Sequence, residues 1–509
     1  MKTIPQTLRD TARAYPDMLA IQEELWSLSY QQLLDRVLHA AAVLQSAGLG
    51  KGERFAIWAP NCAEWVITAL AGQTLGAVLV PLNTRYKGAE AADIIRRAGV
   101  KILLTVEGFL DLDYPAMLAG EDLPELKETI ILRDASNTTA RFDAFMAGAA
   151  APLDVTVIDE VHPDDLSDII YTSGTTGDPK GAMTAHGQNV AVFETFTNAI
   201  GMRKGDRYLI VNPFFHSFGY KAGWLSCIIK GVTIYPLAVF DPADVLKRIA
   251  RDKITVMPGA PTIFQSLLAH SELATTDISS LRVATTGATT IPVNLIRDMH
   301  ETLKIDNVYS AYGLTESCGV VSLCQAGDDF ETIATTCGRA MENTELRLVD
   351  DDGQDVESGE EGELWVRGFN VMLGYLDDPA ATAETITPEG WLKTGDIATR
   401  DDAGYIRITD RKKDMIIVGG FNCYPAEVEK CLTLHPDIVD AAVKAMPDER
   451  LGEVPRAFVI TGKTDMEAQE VIDWCKEKLA NFKVPRMVDF VADLPRNASG
   501  KVQKFLLPD

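Results

Sequence analysis

Residues 168–181 read DIIYTSGTTGDPKG, an apolar, strand-like run that empties into a loop of small and hydroxylated residues. Gly174, Gly177 and Gly181 leave the backbone uncovered, so that its amides can approach a polyphosphate closely. The hydroxyls of Thr172, Ser173, Thr175 and Thr176 can donate to phosphate oxygens, and Lys180 supplies positive charge. This is not a Walker A loop, because Asp178 and Pro179 stand between the second glycine and the lysine. Taken alone, the segment reads equally well as a Gly- and Thr-rich surface turn.

Outward from that loop, short β-branched runs alternate with longer amphipathic stretches. AIWAP (56–60), AVLVPL (77–82), KILLTV (101–106), TIILR (129–133), YLIVNP (208–213), TIYPL (233–237) and ITVMPG (254–259) are strand-like, and the alternation predicts α/β architecture. Between Glu345 and Ile408 the pattern changes to strand-turn-strand, with ELRLVDDDGQD, GELWVRG and GYIRITD predicting a small β-rich subdomain. The charged segment RKKD, 411–414, precedes a fresh α/β pattern: DMIIVGG, a helix from Pro425 to about Leu434, AAVKAM, RAFVI, and a helix from Met466 to Leu479. The boundary falls near Lys413, dividing a large multi-subdomain N-terminal domain, 1–412, from a small α+β C-terminal domain, 413–509.

A chain of 509 residues exceeds the size at which one hydrophobic core stops growing, which agrees with that division. The net charge of -25 repels a nucleic-acid backbone and sets that partner aside. An anionic nucleotide would have to be held by local features. The eight cysteines stand singly, without the close pairs of a zinc or redox site, and read as reduced structural thiols. The first residues carry no continuous apolar stretch of the signal-peptide kind. The longest apolar run, Trp65–Leu82, is broken by Gln73 and two glycines, which predicts a buried helix-turn-strand rather than a membrane span. Together these features predict a cytoplasmic enzyme.

Five segments occur in order: YTSGTTGDPKG (171–181), TTGATT (285–290), SAYGLTES (310–317), WLKTGD (391–396) and PRNASGK (495–501). With them the chain resembles, over nearly its whole length, the adenylate-forming superfamily of acyl-CoA synthetases, luciferases and peptide-synthetase adenylation domains. The resemblance implies that ATP, Mg²⁺ and coenzyme A act together on a small carboxylic acid. It implies that Thr172, Ser173, Gly174, Thr175, Thr176, Gly177 and Lys180 cradle phosphates, and that Gly287 and Ala288 line both adenine and acyl sites. Ala311, Tyr312 and Gly313 would contact the nucleotide, with Tyr312 stacked on adenine, Thr315 at the α-phosphate and Glu316 on the metal. Those residue types suit a purine face, a phosphate and a hard cation. Asp396 and Arg411 would hold the ribose. Trp391 would pack either near the nucleotide or acyl chain or in an ordinary core.

By the same resemblance, Lys501 serves the first half-reaction, Lys413 is a hinge, and rotation of a mobile C-terminal domain brings Val418, Gly419 and Gly420 to a pantetheine tunnel. Phe482, Lys483 and Arg486 would hold the coenzyme A nucleotide, although Val484 stands where some relatives carry a cation. His216, in NPFFHSFGYKAG (212–223), matches a residue that gates the acyl site. That segment holds no carboxylate to meet a substrate ammonium, which argues against an amino acid. Its aromatic residues Phe214, Phe215, Phe218 and Tyr220 read equally as acyl-pocket lining and as core. Lys221, inside an apolar segment, either reaches solvent, the expectation taken here, or meets a polar partner; facing the pocket it could serve a keto or second carboxyl oxygen. The strings NPFFHSFGYKAG, GAPTIFQSLL, ATTCGR and GGFNCYPAEVE resemble bacterial ligases for the indanedione propionate of steroid ring degradation. Other readings remain: a medium- or long-chain fatty acyl-CoA synthetase, an acyl-AMP ligase that loads a carrier protein, a luciferase-like oxygenase, or a nucleotide-binding protein without catalysis. The oligomeric state is open, with a homodimer among the options.

Overall fold

The apolar run at Trp65–Leu82 folds as expected, into the helix Ala63–Thr74, a turn and the strand Val78–Pro81. Every residue of that helix is buried, which explains why its sequence is apolar all round rather than on one face. The computed structural model describes the chain apart from residues 137, 173–178, 288–290, 412–413, 419–420, 449–450, 480, 497–501 and 509; at 410, 411, 417, 421 and 422 only the backbone is described.

Two large sheets dominate the chain up to Tyr375. In one, the order is Gly374–Tyr375, Lys180–Ala185, Leu166–Thr172, Val78–Pro81, Arg54–Trp58, Val100–Phe109 and Leu112–Asp113, with Glu128–Arg133 also paired to Val100–Phe109. The other runs Arg339–Ala340, Ser322–Leu323, Asn307–Tyr312, Val283–Gly287, Val256–Pro258, Arg207–Ile210, Thr233–Pro236, Leu19–Gln22 and Ser27–Ser29. The middle strands of both are parallel, so both faces are covered and the strands read as continuous apolar runs. One apolar core joins Phe55 and Trp65 beside the first sheet to Tyr208 and Ile234 of the second.

The β-rich segment forms an antiparallel four-stranded sheet, Thr344–Val349, Gly362–Gly368, Leu392–Arg400 and Ile406–Arg411, over its own cluster of Leu348, Leu364, Val366 and Leu392. Beyond it, Ile438–Asp448 and Gly452–Thr461 pair antiparallel, and the helices Pro425–Thr433 and Ala468–Lys478 pack beside them. Ile416, Val428, Val443, Val459, Val471 and Cys475 make a core separate from the one above. All eight cysteines are free thiols, seven of them buried. Among the described residues, no helix is long and apolar enough to cross a membrane.

His186 begins the helix His186–Ala199 with its ring 0% exposed, and neither ring nitrogen has a hydrogen-bond partner among the described residues. Burial therefore lowers its pKa to about 4. Below the ordinary value of 6.5, the unfolded chain takes up a proton that the folded chain refuses until pH approaches 4. Stability present above pH 6.5 is thus lost as pH falls towards 4, by about 3 kcal/mol for a shift of this size. Urea melts between pH 7 and pH 4 should show this slope, and His186→Gln should flatten it; an equally acid-sensitive His186→Gln would assign the slope to other groups.

Candidate active site

The site begins where the strands Leu166–Thr172 and Lys180–Ala185 form an antiparallel hairpin, with Thr172 opposite Lys180. The two flanks of the Gly-rich loop are thereby fixed side by side. The Thr172 hydroxyl donates to Glu316 Oε1 at 3.3 Å, and the Tyr375 hydroxyl donates to the same oxygen at 3.0 Å. Lys180 Nζ lies 5.4 Å from the Tyr375 ring centre. Loop flank, acid and tyrosine, distant in sequence, thus share one place. Tyr375 carries no spacing or motif signal in the sequence and was not anticipated; only its bond to Glu316 marks it.

Glu316 sits in the single turn Thr315–Ser317, directly after the strand Asn307–Tyr312. The turn is held by Leu314 N donating to Ser317 Oγ at 3.0 Å and by Gly319 N donating to Leu314 O at 2.8 Å. Cys318 closes it in the left-handed region, with φ +57°, which a residue with a side chain adopts at a cost. The Met372 amide donates to Glu316 O at 2.8 Å, so the segment bearing Tyr375 is tied to the turn through the backbone as well.

Gly287 ends the strand Val283–Gly287 and pairs with Ala311 of the neighbouring parallel strand, so both stand at the carboxyl ends of adjacent strands, where open α/β sheets bind ligands. A Cβ on Gly287 would lie 2.8 Å from Ala311 O, and one on Gly313 would lie 2.2 Å from Gly319 O. The backbones meet too closely there for any side chain. The hydroxyls of Thr285 and Thr286 are buried and unpartnered among the described residues, a donor pair of the kind a bound ligand satisfies. Tyr312 continues from Ala311 and donates its hydroxyl to Asp396 Oδ2 at 2.5 Å. Asp396 is 2% exposed on the strand Leu392–Arg400, opposite Arg411 in backbone register. Burial first, then the negative charge of Asp396, raises the Tyr312 phenol well above its ordinary value, so it remains a donor at any physiological pH. The sequence placed these two residues in one site; their direct bond emerged only with the fold.

His216 is half-buried at the head of the short helix Ser217–Gly219, and its Nδ1 accepts from Phe218 N at 3.2 Å. Burial lowers its pKa to about 4, so near neutral pH the ring is uncharged, with its proton on Nε2. Asn61 holds the strand end that leads to it: its Oδ1 accepts from Phe214 N at 2.7 Å, and its Nδ2 donates to Asn212 O at 2.9 Å and Ile210 O at 3.2 Å. Asn61 had no role in the sequence reading, since NCAEW looks only like the start of a helix.

Lys221 corrects an expectation. It does not reach solvent: its side chain is 0% exposed, with Nζ 2.9 Å from Asp168 Oδ1 and 2.8 Å from Thr184 Oγ1. The physical reason is that a buried lysine needs a counter-ion, and this one comes from the strand Leu166–Thr172, distant in sequence. The aromatic run divides. Phe214 and Tyr220 are core residues, Phe214 edge-on to Trp65 and Tyr220 stacked on Trp224 at 4.7 Å, while Phe215 and Phe218 remain partly exposed. Trp391 is 7% exposed beneath the Arg367 guanidinium, 4.4 Å from its ring centre.

Val418 is buried in the strand Ile416–Val418. Lys483 pairs with Glu427 at 2.5 Å, Arg486 donates to Asn481 O at 3.3 Å, and Val484 is buried in the C-terminal core. Ser173, Gly174, Thr175, Thr176, Gly177, Ala288, Lys413, Gly419, Gly420 and Lys501 lie outside the described residues, and Arg411 is described in its backbone alone.

Comparison with known proteins agrees with this arrangement. Residues 8–376 match the AMP-binding enzyme family, and residues 427–501 match the AMP-binding enzyme C-terminal domain. The chain is 46% identical to a 3-[(3aS,4S,7aS)-7a-methyl-1,5-dioxo-octahydro-1H-inden-4-yl]propanoyl:CoA ligase of Rhodococcus jostii, over 99% of this chain and 98% of that one. It is 47% identical to the ligase of the same name from Mycobacterium tuberculosis, with the same coverage. Among solved structures it is similar to the o-succinylbenzoate coenzyme A synthetase of Bacillus subtilis in complex with ATP and magnesium ion, at 31% identity and a TM-score of 0.86, covering 99% of both chains. With a Gly-rich loop's flanking hairpin set against Glu316, a glycine-lined strand end beside Tyr312 and Asp396, and relatives matched from end to end, this chain belongs to the AMP-binding enzymes and is an ATP-dependent, AMP-forming carboxylic acid:coenzyme A ligase.

Proposed function

We propose that the acid is a polycyclic propionate of the 7a-methyl-1,5-dioxo-octahydroindene type. The observation that carries this is the 46–47% identity, over 99% of the chain, to two ligases named for that acyl group. The acyl-side segment is compatible with it: Phe215 and Phe218 offer partly exposed apolar rings, the neighbouring His216 is neutral, and residues 212–223 hold no carboxylate. The enzyme works in the cytoplasm, where ATP and coenzyme A are at hand.

Within this reading, the hairpin residues Thr172–Gly177 and Lys180 take the triphosphate, Gly287, Ala288, Ala311, Tyr312 and Gly313 take adenine, Thr315 takes the α-phosphate, and Asp396 with Arg411 takes the ribose. Glu316, already oriented by two hydroxyls, would hold Mg²⁺, a coordination that needs only one or two protein carboxylates beside phosphate oxygens. The ion supplies neutralisation of phosphate charge when bound. The substrate carboxylate attacks the α-phosphorus, pyrophosphate leaves, and the resulting mixed anhydride passes its acyl group to the coenzyme A thiol with loss of AMP. Lys501 balances charge in the first step. The C-terminal domain, from the hinge at Lys413 onwards, then brings Val418, Gly419 and Gly420 to the thiol route, and His216 gates it.

Coenzyme A-dependent AMP release, measured with the octahydroindenedione propionate, octanoate, palmitate and benzoate, tests the acid. The polycyclic acid is expected to exceed octanoate in kcat/KM by about 10–200-fold, the range a shaped apolar pocket delivers. Octanoate or palmitate as the better substrate would replace this reading with a fatty-acyl one. AMP release that ignores coenzyme A would point to a different acceptor.

A further inference from the structure

The reaction as described makes no use of the polar cluster beneath the phosphate hairpin. Asp168 and Thr184 are the paired residues at the base of that hairpin, opposite each other where its register shifts. Both are buried, and Lys221 Nζ bridges them, 2.9 Å from Asp168 Oδ1 and 2.8 Å from Thr184 Oγ1. Thr184 donates in turn to Asp168 Oδ1 at 2.9 Å. The other carboxylate oxygen accepts from Ser167 Oγ and Asn189 Nδ2, each at 2.7 Å, and from the Tyr220 hydroxyl at 3.4 Å. Gln73 Nε2 donates to Tyr220 at 2.7 Å. Every one of these side chains is shut off from solvent.

Lys221 and Tyr220 belong to the π-helical turn Tyr220–Leu225, which continues from the short helix headed by His216. Consecutive residues of an α-helix face different ways, whereas here two neighbours reach one carboxylate. A π-helical turn is rare and occurs frequently at functional sites. The acyl-side segment is therefore pinned at its start by Asn61 and at its end by Lys221. It also passes close to Gly319, whose amide closes the Glu316 turn onto Leu314: a Cβ added there would lie 3.2 Å from Ser217 Cβ. Acid side and hairpin are thus joined through buried polar bonds, with the Glu316 turn close by.

We propose that Lys221 and Asp168 are a positioning pair that couples the acid site to the ATP site, so that filling either one raises the affinity of the other. The pair lies beneath both sites and touches neither ligand. A buried ion pair is poor value as a stabiliser against an apolar pair of the same shape, but it fixes one arrangement of the segments it joins. Because the hairpin and segment 212–223 share that arrangement, a ligand that holds one holds the other, and the effect is reciprocal. The inference rests on acid adenylation at this site and not on which acid is used.

The test is a coupling measurement on the full chain. Titration calorimetry gives the Kd of α,β-methylene ATP without and with saturating octahydroindenedione propionate, or octanoate if the polycyclic acid does not bind. The native protein is expected to show tightening within the usual range of about 5–150-fold. The double variant Asp168→Asn, Lys221→Met removes both charges together and is expected to show less than about twofold tightening, with each ligand's separate Kd little changed. Thr184→Val keeps both charges and the shape, and should lie between. A purely structural role would lower melting temperature and leave the tightening factor intact. A folded double variant or Thr184→Val with the native factor, or a native protein with no tightening, overturns the proposal.

Discussion

Lys501→Ala should lower ATP–pyrophosphate exchange by about 10²–10³-fold, the scale on which a single preorganised charge-stabilising group acts in a water-poor site. The chemistry requires such a group because a carboxylate must approach an α-phosphate that is itself anionic. A cation between the two offsets that repulsion as the new bond forms and pyrophosphate departs. The thiol step has a different demand, since the mixed anhydride is already a good acyl donor. Supplied acyl-adenylate and coenzyme A should therefore react in Lys501→Ala at close to the native rate. Gly420→Leu is the mirror experiment: on the role proposed for that glycine, the added side chain should block thioester formation and leave exchange intact. Equal slowing of both half-reactions by Lys501→Ala, or loss of exchange in a folded Gly420→Leu, would end the division of labour between these two positions.

Lys221→Met should destabilise the chain by about 3–5 kcal/mol, because it strips the counter-ion from a carboxylate that has no access to water. Ser167, Thr184 and Asn189 would still donate to Asp168, yet none carries the charge that offsets its burial. A loss of that size is a large share of the stability of an ordinary domain. Adding Asp168→Asn to Lys221→Met removes the orphaned charge and should recover most of the loss. Denaturant midpoints read both steps. Had Lys221 pointed to solvent, the same substitution would change stability by less than about 0.5 kcal/mol, so a small effect would place the lysine outside the cluster described here.

Much of the fold could be read locally. The apolar run at Trp65–Leu82 yielded its helix, turn and strand because burial all round leaves an unmistakable stretch of apolar residues. The strand-like runs at 56–60, 77–82 and 101–106 each fall on a strand, Arg54–Trp58, Val78–Pro81 and Val100–Phe109. The helices Pro425–Thr433 and Ala468–Lys478 lie within the ranges expected of them. Periodicity reports which face of an element is covered, and says nothing of what covers it. That is why Lys221 misled: its apolar neighbours showed an interior segment, but its partners Asp168 and Thr184 sit on a hairpin far away in the chain. Tyr375 escaped notice for the same reason, since nothing in GYLDD signals a hydroxyl set against Glu316. Tyr312 and Asp396 were each legible from their motifs. The bond between them, Tyr312 hydroxyl to Asp396 carboxylate, belongs to the tertiary fold alone.

The separate core behind the C-terminal strands carries a consequence for how such ligases diversify. A unit that buries Val428, Val443, Val459 and Val471 against one another does not draw its stability from the residues that surround the acid. Mutation around Phe215, Phe218 and His216, the acid side proposed above, should therefore leave it intact. If the boundary lies at the charged RKKD segment as proposed, recombination there should likewise graft it onto an N-terminal part with a different history. On the roles proposed above, lineages of this kind would inherit acid preference and acyl transfer as two separable traits.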